Sequence, residues 1–198
     1  MLISLILAHP NPASFNAALA DAARQTLVAQ GHRVNFHDLY AEGFDPLLPM
    51  VEFSRKAVLP ASLQTHCQEL AAAQGLVVVH PNWWGMPPAI LVGWLDRVLR
   101  PGLAYQFLEG DSGQGVPQGL LQVRTALVLN TSNTEALRER EVFGDPLENI
   151  WRACVCGLCG IQRLERRMFG VMVTSTPPER AAWLQETRDL VASLFPVA

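Results

Sequence analysis

The chain has 198 residues, 49% of them hydrophobic and 17% charged, which suits one domain with a sizeable core and excludes a disordered chain. The net charge is -3, and all the cationic residues but Lys56 are arginines scattered without a polybasic run, which argues against nucleic acid as the main partner. No apolar stretch reaches the roughly 18 to 20 residues that span a bilayer, MLISLILAHP lacks a signal peptide's basic start and cleavage site, and Cys67, Cys154, Cys156 and Cys159 are not a secreted disulfide framework in a chain this long, so the expected compartment is the cytoplasm.

Taken in chain order, LISLILA (2–8) reads as a buried first strand and FNAALADAARQTLVAQ (15–30) as a helix closed by Gly31. RVNFHDL (33–39) alternates and suits a more exposed second strand. An apolar, Pro-containing insertion, GFDPLLPMVEFSRKAVLPAS (43–62), precedes a helix at 62–74 that Gly75 is expected to close. GLVVVH (75–80) is a third, fully buried strand, and a helix is expected after Pro87 and Pro88, prolines being tolerated at a helix start. A Gly-rich insertion (101–119) leads to a fourth strand, TALVLN (125–130). Leu147, Ile150, Trp151, Cys154, Val155 and Leu158 recur at helical spacing, and MFGVMVT (168–174) reads as the fifth strand. Strands alternating with helices predict an open, doubly wound α/β sheet.

Ligands of such sheets bind beyond the carboxyl ends of the strands, where strand order reverses. Three polar loops stand there. HPNPASFNAAL (9–19) has Ser14 or Asn16 to cap a helix, whose N-terminus with His9 would make an anion site. PNWWGM (81–86) sets two aromatic faces beside backbone hydrogen-bonding groups, with Gly85 permitting close approach, as a planar heteroaromatic ligand requires. NTSNTEALRE (130–139) offers hydroxyls and amides, with Ser132 or Thr134 as a possible cap. A metal site at CVCGLC (154–159) was weighed, but no histidine lies near it and small apolar cysteines belong on a core-facing helix, so no metal is expected.

HPNPASFNAAL and PNWWGMPPAILVGWLDRVLRPGLAYQF together resemble the flavodoxin-like NAD(P)H:quinone oxidoreductase family, which includes DT-diaphorase, the modulators of drug activity and the ancillary oxidoreductases of potassium-efflux systems. The resemblance implies a single flavodoxin-like domain over 1–198, a sheet of five parallel strands in the order 2-1-3-4-5 with helices on both faces, and bound FAD or FMN. It further implies two-electron transfer from NADH or NADPH to quinones or similar acceptors. By position, His9, Ser14, Phe15 and Asn16 would hold the flavin phosphate and ribityl region, Pro81, Asn82, Trp83, Trp84, Gly85 and Met86 would line the isoalloxazine ring, and Thr131, Ser132 and Asn133 would close its far edge. DT-diaphorase has a Thr-Gly-Gly turn followed by a tyrosine and a histidine, whereas the corresponding stretch here, NTSNTEALREREVFGDPLENIW, has neither; the catalytic proton donor is unknown, with Glu135, Glu141 and water as candidates.

Leu47, Leu48, Met50, Val51 and Phe53 would form an exposed apolar patch on a lone chain, so a homodimer with flavin sites at its interface is expected, as in the family. The alternative to an enzyme is a non-catalytic flavin-binding module: an electron carrier, or a regulatory subunit docking peripherally on a transporter. Electron carriers tend to be strongly acidic, which -3 with this many arginines is not.

Overall fold

The computed structural model describes residues 1–110, 115 and 117–197, so part of the Gly-rich insertion lies outside the described residues. Five strands, β1 (Leu2–Leu7), β2 (Arg33–Asp38), β3 (Gly75–Pro81), β4 (Thr125–Thr131) and β5 (Arg163–Phe169), form one parallel sheet in the order β2-β1-β3-β4-β5. A short antiparallel ribbon pairs Tyr105–Gln106 with Gln118–Gly119. The helices in chain order are α1 (Phe15–Ala29), α2 (Ala61–Ala72), α3 (Ala89–Val98), α4 (Ala136–Glu141) and α5 (Pro146–Asn149). The last continues through a π-helical stretch (Ile150–Cys156) into α6 (Gly157–Cys159), and α7 (Pro177–Leu194) ends the fold.

The apolar runs are continuous because both faces of the sheet are covered. Side chains alternate across each strand, so Ile6, Val78 and Val128 enter a core with α2, α3 and the 147–159 segment, while Leu5, Val77 and Leu127 enter a second core with α1 and α7. β3 is buried along its whole length. Gly75 opens it rather than closing α2, because a Cβ there would lie 2.5 Å from Ile3 Cδ1 and 2.7 Å from Phe195 Cε1.

Two other expectations are corrected. The fifth strand is Arg163–Phe169, earlier than the apolar stretch 168–174, which passes into a 3-10 turn at Met172–Thr174. β5 is an edge strand, so only alternate positions need to be apolar, and its exposed Arg163 and Glu165 discourage pairing with another sheet. In the helical segment after Pro146, the buried stripe is Leu147, Trp151, Cys156 and Cys159, not Cys154 and Leu158. The π turn adds one residue to the repeat between Trp151 and Cys156 and rotates everything beyond it.

The 43–62 insertion is strapped across α3. Glu52, 3% exposed, receives Arg97 Nε at 3.0 Å, and its carbonyl accepts from Arg100. Gly93 makes this approach possible, since a Cβ there would lie 2.2 Å from the Pro46 carbonyl oxygen. With its one buried charge paired, the strap turns Leu47, Met50, Val51, Phe53 and Val58 outward, each 70–93% exposed. No helix among the described residues is long and apolar enough to cross a membrane.

Two buried imidazoles accept from tryptophans: Trp94 Nε1 donates to His66 Nδ1 (3.2 Å) and Trp151 Nε1 to His80 Nε2 (3.0 Å). Burial pushes each ring down to about 4, with the charge of His37 adding to the effect at His66 and the bond from His80 to the Pro81 carbonyl opposing it. An unfolded histidine titrates near 6.5, so between that pH and about 4 the unfolded chain binds more protons and stability falls as the pH falls. His80 alone is worth on the order of 3 kcal/mol. The expected outcome is a urea midpoint that drops steeply across this window, with a shallower drop in His80→Gln; equal slopes would refute the assignment.

Candidate active site

A cleft of about 740 Å³ opens at the carboxyl ends of β1, β3 and β4. That volume lies within the range of small-molecule sites, and the strand order reverses between β1 and β3 at the same place.

The β1 loop supplies His9, Ser14, Phe15 and Asn16 to its wall. Ser14 is the cap: its Oγ accepts from Ala17 N (3.1 Å), and with Phe15 and Asn16 it sets the N-terminus of α1 in the wall of the cleft. His9 Nδ1 faces both Asn11 N (3.1 Å) and the Asn11 carbonyl oxygen (3.3 Å), and burial lowers the His9 pKa against the opposing bond to Asn11 and the charge of Asp38. With Nδ1 engaged by Asn11, the ring stands with Nε2 as its other polar atom beside a helix N-terminus, a combination suited to an anion. Asn16, instead of capping, turns inward to donate Nδ2 to Thr131 Oγ1 (2.9 Å), while its Oδ1 is buried without a partner.

The β3 loop is a tight turn. Trp83 and Met86 exchange two backbone hydrogen bonds (3.1 and 3.0 Å), and Trp84 (φ 59°) and Gly85 (φ 74°) are both left-handed between them, the pattern of a type I′ turn. The left-handed region is unusual for tryptophan and leaves Trp84 at the tip, 95% exposed. Trp83 is partly covered, its ring 6.0 Å from that of His9. Pro81, Asn82, Trp83, Trp84 and Gly85 line the cleft, whereas Met86 closes the turn and lies outside the lining.

Asn82 fixes this turn in place. Its N–H reaches the Thr131 carbonyl (2.6 Å), its Oδ1 accepts from Gly85 N (3.0 Å), and its Nδ2 donates to Glu139 Oε1 (2.9 Å). A Cβ on Gly85 would come within 3.1 Å of Pro146 Cγ, so the turn also leans on the start of α5.

The β4 loop contributes Thr131, Ser132 and Asn133, joined by Thr134. Ser132 Oγ accepts from Thr134 N (3.0 Å) and Asn133 Oδ1 from Val173 N (2.9 Å), but neither Ser132 nor Thr134 caps α4, which starts after Glu135 without a side-chain cap. Glu135 and Glu141 are exposed and do not line the cleft. Glu139, Phe143, Pro146 and Met172 do, and sequence reasoning missed them. Arg166 lies behind this wall: from β5 it pairs with Asp145 and Glu148 (2.8 Å) and donates to Asn130 Oδ1 (3.0 Å).

Away from the cleft, His37, Glu42 and His66 bring possible metal-ligand atoms within 4.8 Å of one another. Trp94 donates to His66 Nδ1, which leaves the ring hydrogen on Nε2 facing Glu42 (3.2 Å), so these groups close on one another as hydrogen bonds. Burial pushes the Cys156 thiol up to about 12 and that of Cys159 up to about 11, which withdraws both from thiolate chemistry.

The arrangement can take an anion at α1 and a flat ring at the tryptophan turn. Gly85→Ala places a side chain in left-handed backbone and against Pro146, so it is expected to weaken ligand uptake at least tenfold with only a modest loss of stability. Isothermal titration beside a melting curve checks this, and unchanged uptake would refute the dependence on this turn.

A family model described as Flavodoxin-like fold matches residues 1–191. An uncharacterized NAD(P)H oxidoreductase of Haemophilus influenzae is 33% identical over 84% of this chain and 82% of its own. The NAD(P)H dehydrogenase (quinone) 1 of Rattus norvegicus is 29% identical over 88% of this chain and 70% of its own. Among solved structures, Smu.1420 from Streptococcus mutans superposes with a TM-score of 0.85 at 26% identity, covering 98% of this chain and 100% of that one. With a family match that spans nearly the whole sequence and a sheet in the order β2-β1-β3-β4-β5, this chain belongs to the family of flavodoxin-like fold.

Proposed function

We propose that the chain is a flavin-dependent NAD(P)H:quinone oxidoreductase, an enzyme that passes two electrons from NAD(P)H to a quinone or similar acceptor. The observation that carries this reading is the pairing, in one cleft, of a helix-terminus anion site with a turn of two tryptophans. The names of two relatives, an NAD(P)H oxidoreductase and an NAD(P)H dehydrogenase acting on quinone, support the same reaction class. The four free cysteines suit a reducing compartment such as the cytoplasm.

The residues present fit a flavin. The α1 amides, Ser14 and the His9 ring would hold its phosphate, and the unpartnered Asn16 Oδ1 is a buried acceptor waiting for a hydroxyl such as those of the ribityl chain. Backbone groups from Asn82 to Gly85 and from Thr131 to Asn133 would meet the edge of the ring, with Trp83 and Trp84 flanking it. The flavin, when bound, supplies reversible two-electron chemistry. The chain's own part is to orient the ring, hold it at the mouth of the sheet and keep water from one of its faces.

The proposed cover for the other face is a second copy of the chain. Leu47, Met50, Val51, Phe53 and Val58 form an apolar surface on the strap, which a twofold contact would bury and which would bring the cleft to the interface.

Three outcomes are expected. The purified protein takes up FMN or FAD with quenching of tryptophan fluorescence, and Trp83→Ala or Trp84→Ala weakens that uptake by about 1–3 kcal/mol, the usual worth of an aromatic stacking platform; unchanged affinity in both variants would sink this assignment. His9→Ala weakens binding of FMN but not of riboflavin, which has no phosphate, as parallel titrations would reveal. Light scattering gives about twice the chain mass, and Met50→Asp or Phe53→Asp lowers both the dimer fraction and quinone turnover; a fully active monomer would refute the shared site. Flavin uptake with no NAD(P)H consumption in the presence of a quinone would mark a binding or transporter-docking module instead.

A further inference from the structure

We infer that the carboxyl group of Glu139 delivers the proton that completes quinone reduction in this cleft; the inference rests on the function proposed above. Turning the two carbonyls of a quinone into hydroxyls takes a hydride equivalent, which originates from NAD(P)H, and a proton for the second oxygen. Of the described side chains that line the cleft, only His9 and Glu139 carry an acid–base group that can pass a proton to a bound oxygen. His9 has Nδ1 tied to Asn11 N and stands at the anion end.

Glu139 stands elsewhere on the wall. It is 3% exposed, on the inner side of α4, and its Oε1 accepts from Asn82 Nδ2 at 2.9 Å. Glu139 lines the cleft, and with Oε1 engaged by Asn82, Oε2 is the oxygen left without a protein partner among the described residues. No Lys, Arg or His among the described residues is ion-paired with it. Asn82 ties that carboxyl to Gly85 and Thr131, the two loops between which a ring would lie. A carboxyl group held at one oxygen, open at the other and free of a permanent cation is built to exchange a proton with a bound molecule.

The step balances. The hydride equivalent brings two electrons and one hydrogen, which ends on one quinone oxygen; the other oxygen takes the proton from Glu139 Oε2, so that both C=O bonds become C–O–H, and the Glu139 carboxylate regains a proton from solvent entering the cleft.

Glu139→Gln keeps an oxygen for Asn82 and removes the proton, so it is the discriminating variant. Flavin affinity, read by tryptophan fluorescence, is expected to stay within a few-fold of wild type. Quinone reduction by the pre-reduced protein, followed in stopped flow, should slow on the order of 100-fold and lose its pH dependence and solvent deuterium isotope effect. Ferricyanide, which takes electrons without a proton, should be reduced at a rate within a few-fold of wild type. Glu139→Asp retains the acid and should restore the pH profile at an intermediate rate. Wild-type quinone kinetics in Glu139→Gln would overturn the proposal in favour of water. Equal slowing with quinone and ferricyanide, or a loss of flavin affinity, would overturn it in favour of a holding role. Absence of flavin uptake by the wild-type chain would instead bring down the function on which the inference rests, and the inference with it.

Discussion

Asn82 sits at the end of the most deeply buried strand of the sheet and spends its backbone N–H and both ends of its side-chain amide at once, on Thr131, Gly85 and Glu139. Each bond reaches a different wall of the cleft: the β4 loop, the tryptophan turn and α4. A polar side chain at the rim of a closed core is stable only when it is satisfied, and satisfying this one draws three loops of distant sequence into a single concavity. The cleft is therefore an extension of the sheet's rigid centre rather than a gathering of loose loops.

The turn that Asn82 anchors depends on backbone that few residues adopt. Trp84 and Gly85 are both left-handed, and Gly85 rests against Pro146. Pro146 is in turn held by Asp145 and Glu148, whose carboxylates converge on Arg166 from β5. The edge strand thus supports the wall of the cleft from behind. Its arginine is 6% exposed and pairs with two acids and an amide, a network whose loss would leave buried charge unpaired. The strap across α3 follows the same logic on the same face of the sheet. One buried ion pair, Glu52 with Arg97, and one missing Cβ, at Gly93, hold a segment whose remaining apolar side chains face outward.

Much of this was legible in the chain. The runs LISLIL, GLVVVH and TALVLN are continuous because those strands are covered on both faces, and their ends locate three of the cleft's walls; every expected site residue except Met86 does line it. What was not legible had physical causes. β5 alternates weakly because it is an edge, so the more apolar 168–174 stretch outscored it. The π turn at Ile150–Cys156 shifts the phase of a helix whose composition reads as regular, moving burial from Cys154 to Cys156. Ser132 and Thr134 have the chemistry of caps, but the Ser132 hydroxyl accepts from the loop's own backbone and α4 starts without a side-chain cap.

Glu139 marks the boundary most clearly. EALRERE, the N-cap and six residues of α4, carries three glutamates, and only the direction in which that short helix meets Asn82 separates the inward carboxyl from the exposed Glu135 and Glu141. Local sequence determined the strand-and-helix alternation, the order of the polar loops and the chemistry available in each, because burial on two faces and helix capping are written in neighbouring residues. Which carboxyl enters the cleft, which tryptophan is covered and where the helical stripe turns inward were decided by tertiary structure. Those outcomes hang on single bonds and missing Cβ atoms between segments tens of residues apart, and no periodicity within one segment records them.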